Sequence, residues 1–252
     1  MTQDRHTVEQ HEIAFFDQYY EGKAYNPVGW RLRFARDLKT LQSFVGKRSL
    51  GEVLSLGCGD GQFELLIAPY ARRVVGLDIS SSAIQAANRR RETLRAENVE
   101  FRCTSIADLD WSERFDAIVC LGFLHHVPES DLKALLRACH QHLNEAGVFY
   151  SQDPNQRGIL RTIGRRLMGK RYDAYHSPDE RELDSLAMRE QLLGAGFSDP
   201  RICYVDLTLI PATFILAHRA GWPLYLCRAA DAVWTWTPLA RWSSGYALMA
   251  RR

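Results

Sequence analysis

The stretch VLSLGCGDGQFE, residues 53–64, decides how this chain is read. It opens as a short apolar run, passes Gly57, Gly59 and Gly61, and leaves into the helix-like QFELLIA. Glycines between a strand and a helix allow a tight turn and let a ligand approach bare backbone beside a helix N-terminus. The next apolar run, VVGLD, ends at Asp78, 21 residues after Gly57. A carboxylate there suits hydrogen bonding to ribose hydroxyls. Spacing then separates two kinds of nucleotide-bearing ligand. A dinucleotide fingerprint, G-x-G-x-x-G, wants glycine or alanine at position 62, and this chain has Gln62. A nicotinamide oxidoreductase is therefore a distant alternative.

Outward from the loop, short apolar runs alternate with amphipathic stretches. EVLSL, VVGLD, VEFRC, FDAIVC and GVFYS read as strands, and SAIQAANRRRETLRA and DLKALLRACHQHL as helices. In the last of these Leu132, Leu135, Leu136, Cys139 and Leu143 share one face, with Ser130 expected as its N-cap. Such alternation implies a parallel, doubly wound α/β sheet. A helix over 185–193, ended by GAGF, precedes a strand in which Cys203, Val205, Leu207 and Leu209 alternate, and GYALMA supplies a seventh strand. The region before residue 47 reads as helical, with Leu32, Ala35, Leu38, Leu41 and Val45 at helical spacing. The whole length, 1–252, is expected to form a single domain. It divides into an N-terminal helical cap (1–46), a ligand-binding core (47–156), a basic lid insertion (157–183) and C-terminal strands (184–252) enclosing an aromatic helical insertion (211–242).

Bulk properties restrict the function. With a net charge of +2 the chain lacks the strong basic excess of a nucleic-acid binder. Six scattered cysteines with no CxxC pair suit reduced thiols in a cytosolic protein, and no metal site is expected. The polar start carries no signal-peptide pattern, and no apolar run is long enough to span a bilayer. The expected location is cytoplasmic, with peripheral contact at a membrane surface left open.

The loop form G-x-G-x-G resembles motif I of the class I S-adenosylmethionine (SAM)-dependent methyltransferases. VEFRCTSIADL, FDAIVCLGFLHHVPE and LNEAGVFYSQDPN resemble that family's third-, fourth- and fifth-strand motifs, so the likeness runs closely over residues 53–155. It implies a Rossmann-like seven-stranded sheet of order 3-2-1-4-5-7-6 with the last strand antiparallel, and SAM as cofactor, leaving as S-adenosylhomocysteine. By resemblance, the backbone of Leu56, Gly57, Cys58, Gly59 and Gly61 holds the methionine and ribose portions. Asp78 takes the ribose hydroxyls and Ile79 packs on the adenine, Ser105 and Ile106 line the adenine edge, and Leu121 and Gly122 flank the cofactor. Many family members carry an acidic residue where this chain has Ser105, so the contact to the adenine amino group is in doubt.

His125 and His126 follow the fourth strand, where the family places residues facing the acceptor. Histidine titrates in the range a general base needs, so O-methylation with one of them as base is expected. His126 is preferred because it matches the histidine of the family's commoner EH pair. Methylation of nitrogen or carbon, and a SAM-binding regulator on the same fold, remain alternatives. Tyr19, Tyr20 and Tyr25 in the cap are candidate acceptor contacts.

Two insertions leave from the carboxyl ends of strands, where open α/β sheets bind ligands. The first, QRGILRTIGRRLMGKRY, places Ile159, Leu160, Ile163 and Leu167 on one face. Arg157, Arg161, Arg165, Arg166, Lys170 and Arg171 form a basic complement. The second, PATFILAHRAGWPLYLCRAADAVWTWTP, reads as two helices broken at Gly221, with Pro223 starting the second and Pro238 after its end. In that second helix Trp222, Leu226, Ala229, Val233 and Trp236 repeat at helical spacing, while Arg228, Asp231 and Thr235 mark another face. Both insertions are expected to crown the acceptor side, with Trp234 in the pocket. The expected acceptor is small or amphipathic and mainly hydrophobic: a lipid-linked glycan, a prenylated quinone precursor or an amphipathic metabolite.

Overall fold

The computed structural model describes residues 5–22, 27–46, 49–108, 112–169, 177, 179–216 and 221–252. Tyr25, Lys170 and Arg171, and the side chains of Tyr19, Tyr20 and Leu167, lie outside the described residues. The strands are β1 (Gly51–Leu56), β2 (Ala71–Asp78), β3 (Val99–Cys103), β4 (Phe115–Leu121), β5 (Leu143–Pro154), β6 (Ser198–Val205) and β7 (Gly245–Arg251). The helices are α1 (Arg5–Gly22), α2 (Pro27–Val45), α3 (Gln62–Ile67), α4 (Ser81–Leu94), α5 (Glu129–His142), α6 (Ile159–Met168), α7 (Ser185–Ala195), α8 (Leu209–Ile215) and α9 (Trp222–Trp234).

The strands form one sheet in the order β3-β2-β1-β4-β5-β7-β6, as the resemblance implies. β1 to β5 pair in parallel, and β7 runs antiparallel to β5 and β6. Helices cover both faces, so both sides of the central strands are buried and their sequences are apolar without a break. Leu54, Leu56, Ile118 and Cys120 pack toward α5 and α7, and Val53, Val74, Ala117 and Val119 toward α2, α3 and α4. Chain order reverses between β1 and β4, which opens a crevice at the carboxyl ends of those strands.

Local chemistry sets several element ends. Asp184 caps α7 by accepting from the amides of Leu186 and Ala187, and Gly196 closes it in a left-handed conformation. The expected Ser130 cap is not found: α5 begins at Glu129 after Pro128, with no side-chain cap, and Glu129 and Asp131 supply negative charge to its first turn. β6 stops at Val205 rather than continuing through Leu207 and Leu209. Asp206 turns the backbone with φ +61°, and Leu209 starts α8. On α2 the expected apolar face is also modified, because Ala35 is exposed while Arg33 and Asp37 are buried.

Those buried charges tie the cap to the sheet. Arg33 donates through Nε to Asp206 Oδ2 at 3.2 Å and through Nη2 to Gln152 Oε1 at 2.8 Å. Arg36 also pairs with Asp206, and Tyr150 Oη donates to Asp37 Oδ1 at 2.9 Å. α2 approaches α8 closely at Gly29, where an added Cβ would lie 2.3 Å from Thr213 Oγ1.

The two insertions form α6, α8 and α9, with α8 in contact with both of the others. The basic complement of α6 is partly neutralised. Arg157 pairs with Asp184, and Arg161 with Glu180 and Glu182. α9 turns its polar face inward: Arg228 Nη1 donates to Leu32 O, and Asp231 accepts from the amides of Thr208 and Leu209. Its apolar stripe consequently faces solvent. No helix among the described residues is long and apolar enough to cross a membrane.

Candidate active site

The crevice deepens into a cavity of about 520 Å³, roofed by α1 and α2 and bounded below by the carboxyl ends of β1, β2 and β4. The loop after β1 folds over the end of β2: the amides of Gly57 and Cys58 both donate to Leu77 O at 2.9 Å. Gly57 has φ +70°, and a Cβ there would sit 2.5 Å from the Phe123 ring, so only glycine lets the β1 and β4 loops meet. The Gly59 amide donates to Asp78 Oδ2 at 2.8 Å, and the Ser80 amide to Asp78 Oδ1 at 2.9 Å. These bonds fix the carboxylate at the cavity wall, and each oxygen keeps a second lone pair for a ligand hydroxyl. Burial nonetheless raises the Asp78 pKa above the ordinary carboxylate value.

Behind the same loop, Ser55 Oγ donates to Glu64 Oε1 at 2.6 Å. Glu64 Oε2 is buried without a hydrogen-bond partner among the described residues, and burial pushes the carboxyl up to about 7. An orphaned acidic oxygen lining the cavity suits a cationic ligand group. Together with Asp78 it gives the cavity wall the acceptor oxygens and negative charge that the sulfonium, ammonium and ribose hydroxyls of SAM require.

At the far wall Ile79, Ser105 and Ile106 line the cavity. Ser105 Oγ donates to Glu9 Oε1, 2.8 Å away on α1. α1 is pinned over this wall by Asp17, which accepts from Ser80 Oγ at 2.6 Å and Ser82 Oγ at 3.0 Å.

The fourth-strand loop carries Leu121, Gly122, His125 and His126 to the cavity. His125 Nδ1 meets Asp153 Oδ1 at 2.9 Å, and its backbone amide donates to the same oxygen. Asp153 is fully buried on β5, and burial pushes its carboxyl up to about 7. His126 Nδ1 lies 3.0 Å from Glu12 Oε2 on α1 and 3.2 Å from Ser177 Oγ. Burial lowers the His126 pKa, but the hydrogen bond and charge of Glu12, with Glu180 and Asp153 beyond, outweigh it and raise the value. His125 thus has its Nδ1 hydrogen-bonded to a carboxylate, and His126 has its Nδ1 on Ser177 Oγ with the Glu12 carboxylate at ion-pair distance. Both therefore favour a proton on Nδ1 and leave Nε2 as the basic nitrogen. Donor atoms of His125, His126 and Glu180 lie within 4.8 Å of one another, and Arg161 Nη2 already pairs with Glu180 at 2.6 Å.

Of the candidates read from sequence, Leu56, Gly57, Cys58, Gly59, Asp78 and Ile79 come together on the cavity wall with the residues of the third- and fourth-strand loops. Gly61 stands behind it, at the N-cap of α3 against Phe101 and Ala87. Trp234 does not line it: the ring is half-buried at the end of α9 with its Nε1 enclosed in the crown, away from the cavity. Sequence reading missed Glu9, Glu12, Glu64, Arg161 and Glu180 on the cavity wall and Asp153 behind His125. The i, i+3 spacing of Glu9 and Glu12 on one helix face was the one local signal available.

This combination of sheet order, glycine loop and terminal β2 carboxylate defines a methyltransferase-type nucleotide fold. Residues 53–147 match a family described as a methyltransferase domain. The ubiquinone biosynthesis O-methyltransferase of Nitrobacter winogradskyi is 33% identical over 139 residues, covering 52% of this chain and 50% of that protein. The chain thus spans about half the length of the curated relatives it matches. Among solved structures, magnesium protoporphyrin IX methyltransferase from Synechocystis with bound S-adenosylhomocysteine aligns at TM-score 0.61 and 18% identity, over 99% of this chain and 100% of that one. The cyclase SpnF aligns at TM-score 0.54 and 20% identity, over 84% and 80%. Residues 53–147 thus carry a methyltransferase domain, and the fold around them is that of the SAM-dependent methyltransferases.

Proposed function

We propose that the protein transfers the methyl group of SAM to a hydroxyl of a small or lipid-like, largely apolar acceptor, with His126 or His125 receiving the hydroxyl proton. The observation that carries this reading is the pair of carboxylate-held imidazoles opening on the same cavity as the glycine loop. When bound, SAM supplies an electrophilic methyl group on a sulfonium sulfur. The chain's own residues then have three tasks. Asp78 and the bare backbone of the glycine loop fix the cofactor's position, and aromatic side chains of α1 and α2, among them Phe16 and Phe34, exclude water from the cavity. A carboxylate-backed imidazole Nε2 accepts the proton as the oxygen–carbon bond forms, and the positive ring is stabilised by Glu12 or Asp153.

O-methylation rather than N- or C-methylation is favoured by the histidine pair and by relatives of about 30% identity whose names specify O-methyltransfer. A ubiquinone-type precursor with a free ring hydroxyl is accordingly the first acceptor to try. The likeness to a cyclase favours one alternative, a reaction on this fold without methyl transfer. Incubation with methyl-labelled SAM and the hydroxylated acceptor, followed by mass spectrometry, separates them. A labelled methyl ether supports O-transfer; product lacking the label, or label on nitrogen or carbon, overturns it.

A further inference from the structure

We propose that the outer face of α9 is an interfacial surface that seats the protein on an anionic lipid bilayer. This inference is independent of the reaction assigned to the cavity.

The first support is the direction in which the helix faces. A surface helix ordinarily turns its apolar stripe to the core and its polar face to water. Here Asp231 and Arg228 point inward, held by the start of α8 and by α2, and the stripe points out. Trp236 is 90% exposed, Val233 71%, Trp222 67% and Leu226 62%. Tyr225 and Leu239 extend the same patch, and Ile159 and Ile163 of α6 are exposed on the neighbouring insertion. A contiguous apolar face of this kind marks an interaction site rather than an ordinary surface.

The second is its composition. Tryptophans stand at both ends of the stripe, Trp222 at the start of α9 and Trp236 two residues past its end, with aliphatic residues between. Trp and Tyr suit the boundary between headgroups and acyl chains, where one edge of the ring is wet and the other is not.

The third is charge. From residue 207 to the C-terminus Asp231 is the sole acidic residue, and it is buried. Arg241 at the end of the patch and Arg166 on α6 are exposed. A face with arginines and no exposed carboxylate complements phosphate headgroups. It does not complement itself, since two-fold pairing of a second copy would set arginine against arginine.

α9 packs on α2 and α8, and those helices contribute Trp30, Arg33, Phe34 and Ile210 to the cavity. Seating α9 on a bilayer therefore brings the cavity roof to the membrane surface, where a lipid-like acceptor is concentrated.

Flotation of the purified protein with vesicles of phosphatidylcholine alone, and with phosphatidylglycerol added, tests this. Wild type should float with the anionic vesicles, with a blue shift of tryptophan emission, and should be released by salt. Trp222→Ser with Trp236→Ser should lower the partition coefficient at least about tenfold. Arg166→Glu with Arg241→Glu should remove the preference for phosphatidylglycerol. Unchanged calorimetric binding of S-adenosylhomocysteine establishes that each variant is folded. Wild type that stays down with both vesicles, or Trp variants that float equally, would overturn the proposal. So would a wild-type dimer that the Trp substitutions convert to monomer without any flotation, because a second copy would then cover the face. Methyl transfer to an acceptor free in solution should survive these substitutions, so failure here leaves the catalytic reading untouched.

Discussion

Ser105 Oγ donates to Glu9 Oε1 at 2.8 Å, across 96 positions of sequence. The serine stands where many members of the family have an acid, and the carboxylate reaches the same wall from α1. The cap rather than the sheet thus brings a carboxylate to this wall, which we propose is the adenine edge. Glu9→Ala should weaken binding of S-adenosylhomocysteine about tenfold, the value of one charge-assisted hydrogen bond. Ser105→Asp introduced into that variant should restore most of it. Calorimetry on the single and double variants checks this, and an unrestored double variant would show that Glu9 acts only through cap packing.

His126 and His125 differ in what backs them. Glu12 comes from the cap, whereas Asp153 comes from the middle of the sheet. Replacing the base should cost about 100- to 10,000-fold in kcat with little change in cofactor affinity. The histidine whose alanine variant shows that pattern is the base; loss of cofactor affinity instead marks a structural role. Because Arg161 already neutralises Glu180, activity should persist after EDTA treatment. Inactivation by EDTA with recovery on adding a divalent cation would show that His125, His126 and Glu180 hold a metal.

The glycine loop, Asp78 and the two histidines were legible because each is a short pattern attached to one strand end. Their partners were not. Glu12 reaches Ser177 across 165 positions and Asp153 reaches His125 across 28, so no local window contains the pairs. The spacing of the α9 stripe was also legible, but not its direction. Periodicity locates a face, and what turned this one outward was the fit of Asp231 to the amides that begin α8. Leu207 and Leu209 misled in the same way. Their alternation matched a strand, yet the ion pairs of Asp206 with Arg33 and Arg36 end β6 before them.

Glu64 makes stability depend on pH in the sense opposite to a salt-bridged acid. Burial raises its folded pKa from 4.5 to about 7, so the folded state holds the proton more tightly than the unfolded state. The contribution is complete below about 4.5 and is lost as pH rises through about 7, by up to about 3 kcal/mol. Asp153, raised from 3.8 to about 7, acts in the same direction. Thermal melts of the ligand-free protein should therefore show Tm falling between about pH 5 and 8. Glu64→Gln, which keeps the shape and the bond to Ser55, should make that decline shallower. An identical slope in both proteins would mean that Glu64 is ionised throughout.

Asp206 closes the opposite end of the molecule's charge network. It is buried with φ +61°, and it holds Arg33 and Arg36 of α2 beside Gln152 of β5. Removing one partner from a buried ion cluster leaves the others charged and desolvated, so Asp206→Ala should destabilise the fold by about 3–5 kcal/mol. Arg33 also lines the cavity, 4.3 Å over the Trp30 ring. Without Asp206 it keeps only its bond to Gln152 and its stack on Trp30, and the aromatic wall loses the ion pair that anchors it. Conditions that restore folding of the variant, such as lower temperature, should therefore leave a raised acceptor KM with cofactor binding near normal. Chemical denaturation read with steady-state kinetics separates the two effects. A destabilised variant with unchanged KM would confine the network's role to fastening α2.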